Sequence, residues 1–257
     1  MTTNPTLMGD APELIAHRGY SGRYPENTLV AFEAAYEQGA RYMELDLQLT
    51  ADKVPVLHHD LSLERMANVD MDIRDTPVKK LKTIKAAYSL RFGSEFEHNE
   101  FTTFRRYCQW LATHKEVTTF VEIKQESIER HGPNTVIDKV IECIIKAGVA
   151  HRCVIISFNV EALKYTRKVS LMRTGWVLPA WNDEQRKTLE SLSPDYLFCN
   201  INLLPLHQEA VWQGHWQLAI YNVDDVNLAI DMANRGIHLL ETNQIGTLMN
   251  DAALKSQ

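Results

Sequence analysis

Four short stretches of this 257-residue chain concentrate groups able to move protons, hold an anion or bind a cation. In His17-Arg18-Gly19 an imidazole that titrates near neutrality stands beside a guanidinium able to grip phosphate oxygens at two points. In Glu44-Leu45-Asp46, side-chain alternation along an extended backbone puts both carboxylates on one face and Leu45 on the other. Glu122-Ile123-Lys124 repeats that arrangement with one acid and one base, and His58-His59-Asp60 adds further imidazoles. Two buried carboxylates side by side repel, so one is protonated, a basic residue pairs with them, or a cation lies between them. Adding Glu122 gives three carboxylates with no cysteine or histidine in the set. That is a hard oxygen site suited to Mg2+ or Ca2+ rather than zinc. The competing arrangement is a buried ion-pair cluster in which Lys124 neutralises a carboxylate.

The elements that must position these groups are short apolar, β-rich runs alternating with helical patterns. The runs are Leu14 to His17, Tyr42 to Leu49, Thr119 to Lys124, Val154 to Ser157, Thr174 to Leu178, Tyr196 to Cys199, Leu218 to Val223 and Ile237 to Thr242. Amphipathic segments lie between them, clearest at Leu29, Phe32 and Tyr36 before Gly39 and at Val136, Ile137, Val140, Ile141, Ile144 and Ile145 before Gly148. Eight such strand-helix units predict an α/β fold, a (β/α)8 TIM barrel whose chemistry sits at the C-terminal strand ends. A ninth run, Val54 to His58, is divided from the second strand only by Ala51, Asp52 and Lys53. Parallel strands need a connection of roughly a dozen residues, so this run folds back as an antiparallel hairpin. His58 and His59 then point to opposite faces, and the pattern alone does not say which face meets the site.

From residue 60 to about 105 the spacing exceeds what one helix needs, which predicts a small insertion over the barrel mouth within a single domain spanning 1–257. The acidic stretch at 68–75 is read as a solvated loop. With 45% hydrophobic residues the chain can bury one barrel-sized core. A net charge of −6 without a basic run argues against nucleic acid as a partner. Residues 1–16 carry neither a charged leader nor an apolar core, and nowhere do about 18 apolar residues run together. The expectation is a soluble, cytoplasmic protein with no integral membrane segment, its four scattered cysteines reduced.

Taken in order, the motifs resemble the glycerophosphodiester phosphodiesterase family. They run Ile15-Ala16-His17-Arg18-Gly19, Pro25-Glu26-Asn27-Thr28, Ala31-Phe32, Gly39-Ala40, Glu44-Leu45-Asp46, Thr50-Ala51-Asp52 and His59-Asp60, and continue through Leu63-Glu64-Arg65, Arg91-Phe92-Gly93, Glu122-Ile123-Lys124 and Ser157-Phe158 to Glu241-Thr242-Asn243. The resemblance implies His17 and His59 as general acid and base, and it selects His59 over His58. It implies Glu44, Asp46 and Glu122 as ligands of one divalent cation, Mg2+ or Ca2+, with Arg18 and Lys124 on the substrate phosphate. Asn27 reaches the site as well and is counted with Arg18 and Lys124 as phosphate-binding, although asparagine also caps helices, and Glu26 is a structural contact. The implied reaction converts a small glycerophosphodiester to sn-glycerol 3-phosphate and an alcohol such as choline, ethanolamine or glycerol. A lysophospholipase D-like activity would use the same centre behind an apolar groove from Phe92, Phe96, Phe101 and Trp181. A non-catalytic glycerophosphate-binding barrel is the alternative outside the enzymes. Four positions depart from the family pattern. Lys53 replaces a turn glycine, Thr102-Thr103-Phe104-Arg105 lacks a rim carboxylate, Tyr221 stands near a usual tryptophan, and Asn243 replaces the aspartate of a closing Thr-Asp.

Overall fold

The computed structural model describes residues 5–205 and 210–255, so part of the 1–16 stretch read for a leader, residues 1–4, lies outside the described residues. The described residues form nine strands: β1 (Glu13–His17), β2 (Tyr42–Leu49), β3 (Pro55–Leu57), β4 (Thr118–Ile123), β5 (Cys153–Ser157), β6 (Arg173–Val177), β7 (Tyr196–Asn200), β8 (Gln217–Tyr221) and β9 (Leu239–Thr242). Eight of them run parallel in the order β1-β9-β8-β7-β6-β5-β4-β2, and β1 also pairs with β2, which closes the sheet into the expected barrel. β3 lies outside the ring, antiparallel to β2, with Leu47 opposite Leu57 and Gln48 opposite Val56.

Alternation along each strand sorts side chains between two cores. Ile15, Phe120, Val154, Ile156, Val177, Tyr196, Phe198, Ala219 and Leu239 cluster inside the barrel. Their neighbours Ala16, Met43, Leu45, Leu47, Val121, Ile155 and Leu197 join the core between strands and helices. The helix Pro133–Ala147 has proline at its first position and Gly148 in the left-handed region at its end, and it buries Val136, Ile137, Val140, Ile141 and Ile144. That spacing gives a single apolar stripe facing the sheet. The helix Leu29–Glu37 is capped by Thr28, whose hydroxyl accepts from Ala31 N, so Asn27 is free of capping duty.

Lys53 sits at the hairpin turn with φ +59, a strained conformation that the missing glycine would have relieved. Between β3 and β4, Val56, Leu63, Met66, Ile73, Leu81, Ile84, Ala86 and Phe101 form a separate small core. This segment leans on the loop after β1 through Arg91, which donates to Gly22 O at 2.8 Å, and through Phe96 against Tyr24 at 5.7 Å. The acidic stretch at 68–75 is engaged locally, Asp72 with Arg74 and Asp75 with Arg130. Among the described residues no helix is long and apolar enough to cross a membrane, and the four cysteines are unpaired.

Candidate active site

At the C-terminal strand ends a cavity of about 280 Å³ opens between His17, Arg18, His59, Glu122, Lys124 and Glu241 on one side and Ile156, Phe158, Val177, Phe198 and Tyr221 on the other. A larger depression of about 480 Å³, bounded by Ala67, Thr83 and Gly93, lies on the segment between β3 and β4 and gathers no comparable set of ionisable groups. The parallel register explains the convergence: His17 pairs with Glu44 across β1 and β2, and Asp46 with Glu122 across β2 and β4.

His17 closes β1, and the chain then turns sharply through Arg18 and Gly19, both at positive φ. A Cβ at residue 19 would come within 2.7 Å of the Ala31 backbone, so only glycine fits. The turn aims the Arg18 main-chain N–H at Glu44 Oε2, 3.2 Å away. The Arg18 side chain brings its Nε within 2.9 Å of Asp46 Oδ2 and donates from a terminal nitrogen to Glu26 at 2.9 Å. Asn27 donates its amide N–H to Asp46 Oδ2 at 2.9 Å and accepts the Asp46 main-chain N–H at 3.1 Å. Both ends of that amide are therefore spent on Asp46, and Asn27 does not line the cavity.

The hairpin register resolves the two histidines. His58 is buried, its Nε2 3.1 Å from Ser62 O and its ring edge-on to Phe101. His59 lines the cavity, its Nδ1 2.7 Å from Asp60 Oδ1. Asp60 in turn accepts from Arg65 Nε at 2.6 Å, and Arg65 grips both oxygens of Glu26 at 2.7 and 2.8 Å. Sequence reasoning had Glu26 as a structural contact but missed the connection: one ionic chain ties His59, through Asp60, Arg65 and Glu26, to Arg18.

Four carboxylates, Glu44, Asp46, Glu122 and Glu241, face two cations, Arg18 and Lys124. Lys124 lies 2.9 Å from Glu122 and 3.3 Å from Asp46, which realises part of the ion-pair alternative. Burial works against the charge on Asp46, but Arg18 and Lys124 hold it well below the usual carboxylate range. Glu44 has weaker protection, from Arg18 alone. Burial, then Asp46 and Glu241, push its carboxyl well up, and burial with Glu122 does the same to Glu241. Burial, then the neighbouring Arg18, lowers His17 to about 4.

This surplus of negative charge is what a divalent cation would relieve. Ligand atoms of Glu44, Asp46 and Glu122 lie within 4.8 Å of one another, as do those of His17, Glu44 and Glu241. Glu44 Oε1 is buried without a hydrogen-bond partner, so the oxygen set fits a hard cation.

Glu241, 3.3 Å from His17 Nε2, has a role that sequence reasoning did not assign, although its Glu241-Thr242-Asn243 motif was in view. The aromatics named for an apolar groove do not line the cavity. Phe92 packs on Phe96, Phe101 belongs to the small core and Trp181 stacks on Trp212 at 4.1 Å.

Comparison with known proteins agrees with the fold and the strand-end motifs. Residues 17–247 match the model of the glycerophosphoryl diester phosphodiesterase family. The chain is 30% identical to a glycerophosphodiester phosphodiesterase of Caldanaerobacter subterraneus subsp. tengcongensis over 92% of its own length and 96% of the relative's. Its fold is similar to that of an Oleispira antarctica phosphodiesterase solved with the product sn-glycerol-3-phosphate, with TM-score 0.83, 24% identity and 96% and 98% of the two chains covered. A glycerophosphodiester phosphodiesterase from Parabacteroides distasonis superposes with TM-score 0.77 at 21% identity, covering 94% and 98%. With its closed barrel, its two cavity-facing imidazoles and a family match running from His17 to beyond the last strand, the chain is an enzyme of the glycerophosphoryl diester phosphodiesterase family.

Proposed function

We propose that this enzyme hydrolyses small glycerophosphodiesters to sn-glycerol 3-phosphate and an alcohol, with His17 and His59 as its acid–base pair. The observation that carries the reading is that both imidazoles, Arg18 and Lys124 line one cavity of about 280 Å³. That volume suits a substrate of glycerophosphocholine size better than an acylated lipid. Arg18 and Lys124 are the groups to hold the phosphate. Guanidinium and ammonium donors aimed at its oxygens neutralise charge that builds as the bond to the leaving alcohol breaks. One histidine takes the proton of the nucleophile, either water or the substrate's own glycerol hydroxyl. In the second case a cyclic phosphate forms and water then opens it. The other histidine protonates the departing oxygen. Asn27 acts by holding Asp46 in place beside the phosphate groups.

Glu44, Asp46 and Glu122 are the residues to hold one Mg2+ or Ca2+, whose bound charge would polarise the phosphodiester. The rest of the reading follows the same lines. The chain acts as a single unit over 1–257, with residues 60 to 105 covering the mouth. Its four free cysteines fit a reducing cytoplasm.

The test is hydrolysis of glycerophosphocholine before and after EDTA, with Mg2+ or Ca2+ added back. Activity is expected to vanish with the chelator and return with the ion. Turnover that continues in EDTA would sink the three-carboxylate site.

A further inference from the structure

Asn243, which stands where the family pattern has aspartate, is fixed on both sides. Its amide Nδ2 donates to Asp224 Oδ2 at 2.8 Å, and its main-chain N–H donates to Asp224 Oδ1 at 2.7 Å. Thr242 Oγ1 donates to the same Asp224 Oδ1 at 2.9 Å. A carboxylate only accepts, so the amide nitrogen must face Asp224 and the amide oxygen must face the barrel. That oxygen receives the Ser21 hydroxyl at 2.8 Å and lies 2.8 Å from His17 Nδ1. Only a hydrogen on Nδ1 satisfies this contact. Asn222 meets the same nitrogen at 2.6 Å, and neither end of its amide has another hydrogen bond among the described residues. It is therefore free to turn its oxygen to the ring, whereas Asn243 is not.

We infer that Asp224 and Asn243 are positioning residues that lock His17 in the Nδ1–H tautomer, leaving Nε2 bare toward the cavity. The inference rests on the acid–base reading of His17 and sharpens it. Nε2 lies 3.3 Å from Glu241 Oε1, whose carboxyl favours its protonated form in this buried setting and so tolerates a lone pair on Nε2, the atom to which a nucleophile's hydroxyl would hand over its proton. The proton moves from that hydroxyl to His17 Nε2 as the new P–O bond forms. His59 is then the group left to protonate the departing oxygen.

The relay predicts a specific inversion and a specific rescue. In Asp224→Asn, the new amide oxygen must stay on the Asn243 and Thr242 donors, which turns its NH2 against that of Asn243. Asn243 then flips, presents its NH2 to His17 and forces the proton to Nε2. In the double variant Asp224→Asn/Asn243→Asp, the residue-224 amide donates to the residue-243 carboxylate, which again accepts from His17 Nδ1.

The experiment is long-range 1H–15N correlation of the imidazole-labelled full chain with Mg2+ present, His17 being assigned by its loss in His17→Ala. It is paired with kcat and KM on glycerophosphocholine. The wild-type protein should show a pyrrole-like Nδ1 and a pyridine-like Nε2, Asp224→Asn the reverse, and the double variant the wild-type pattern. Expected kcat falls roughly 10²- to 10⁴-fold in Asp224→Asn with KM little changed, and returns to within about tenfold in the double variant. A wild-type His17 protonated on Nε2 overturns the inference without any variant. An unchanged tautomer in Asp224→Asn, or no rescue by the double variant, overturns it as well. If the tautomers behave as stated but no variant of the chain hydrolyses the diester, the relay stands and the proposed activity fails.

Discussion

The mouth of the barrel divides into two arcs of adjacent strands. Along β9, β1, β2 and β4 the inward side chains near the rim are Glu241, His17, Glu44, Asp46 and Glu122. Along β5, β6, β7 and β8 they are Ile156, Val177, Phe198, Asn200 and Tyr221. The first arc carries nearly all the charge and needs outside help to keep it, which Arg18, Lys124 and Asn27 provide from the turns and loops that follow. The second arc needs no partners. It carries no charge, its polar groups being the Asn200 amide and the Tyr221 hydroxyl, and its apolar side chains lower the local dielectric and so strengthen the ionic contacts opposite them. The contrast is thus between a charged arc, which the proposed function assigns to the reacting group, and a largely apolar arc left to meet carbon.

Three substitutions break or sharpen that contrast, in falling order of effect. Asp46→Asn removes the charge that Arg18, Lys124 and Asn27 surround, and kcat/KM on glycerophosphocholine should fall about 10³-fold or more. Thermal unfolding should shift as well, since two buried cations each lose one of their counter-charges, Arg18 keeping Glu26 and Lys124 keeping Glu122. An active Asp46→Asn enzyme would mean that the charged arc is not the reacting one.

On the apolar arc, Phe158 is 41% exposed at the rim. Phe158→Ala should raise KM by no more than about tenfold and leave kcat nearly unchanged, as expected for uniform binding of a headgroup. A collapse of kcat there would erase the distinction between the arcs.

The smallest effect belongs to a histidine outside both. His58→Gln should keep activity within about threefold, while the lost hydrogen bond to Ser62 O and the altered packing cost roughly 1–3 kcal/mol. Burial lowers the His58 pKa below its ordinary 6.5. The unfolded chain therefore binds more protons, and stability drains away as pH falls below that value. Urea unfolding at pH 7.5 and 5.5 should show a shallower acid loss in the variant, by less than about 1.4 kcal/mol per pH unit. If His58→Gln abolished activity in a folded protein, the hairpin register would have been misread.

The charged arc was largely legible because its signals are local. Alternation alone puts Glu44 beside Asp46, and the three-residue gap after Thr50 forces β3 to turn back. What stayed hidden depends on distance along the chain. Which of His58 and His59 faces in follows from the pairing of Gln48 with Val56, a one-residue choice that no periodicity fixes. Asn27 looked equally suited to a helix cap or to the site, and it is the neighbouring Thr28 that caps, which frees Asn27 to clamp Asp46. The link from His17 to Asn243 spans 226 positions, and the link from Arg65 to Glu26 spans 39. Barrel closure brings the first pair together, and the segment after β3 brings the second.

That closure also sets a schedule. β1 hydrogen-bonds to β2 on one flank and to β9 on the other, so the strand made earliest waits for the strand made last. Until residues 239–242 leave the ribosome, β1 and β8 both present open edges, and His17 lacks Glu241 and Asn243. A nascent chain therefore has an incomplete barrel mouth until β9 is released, and it carries two sticky edges that must be shielded from other chains until the ring shuts.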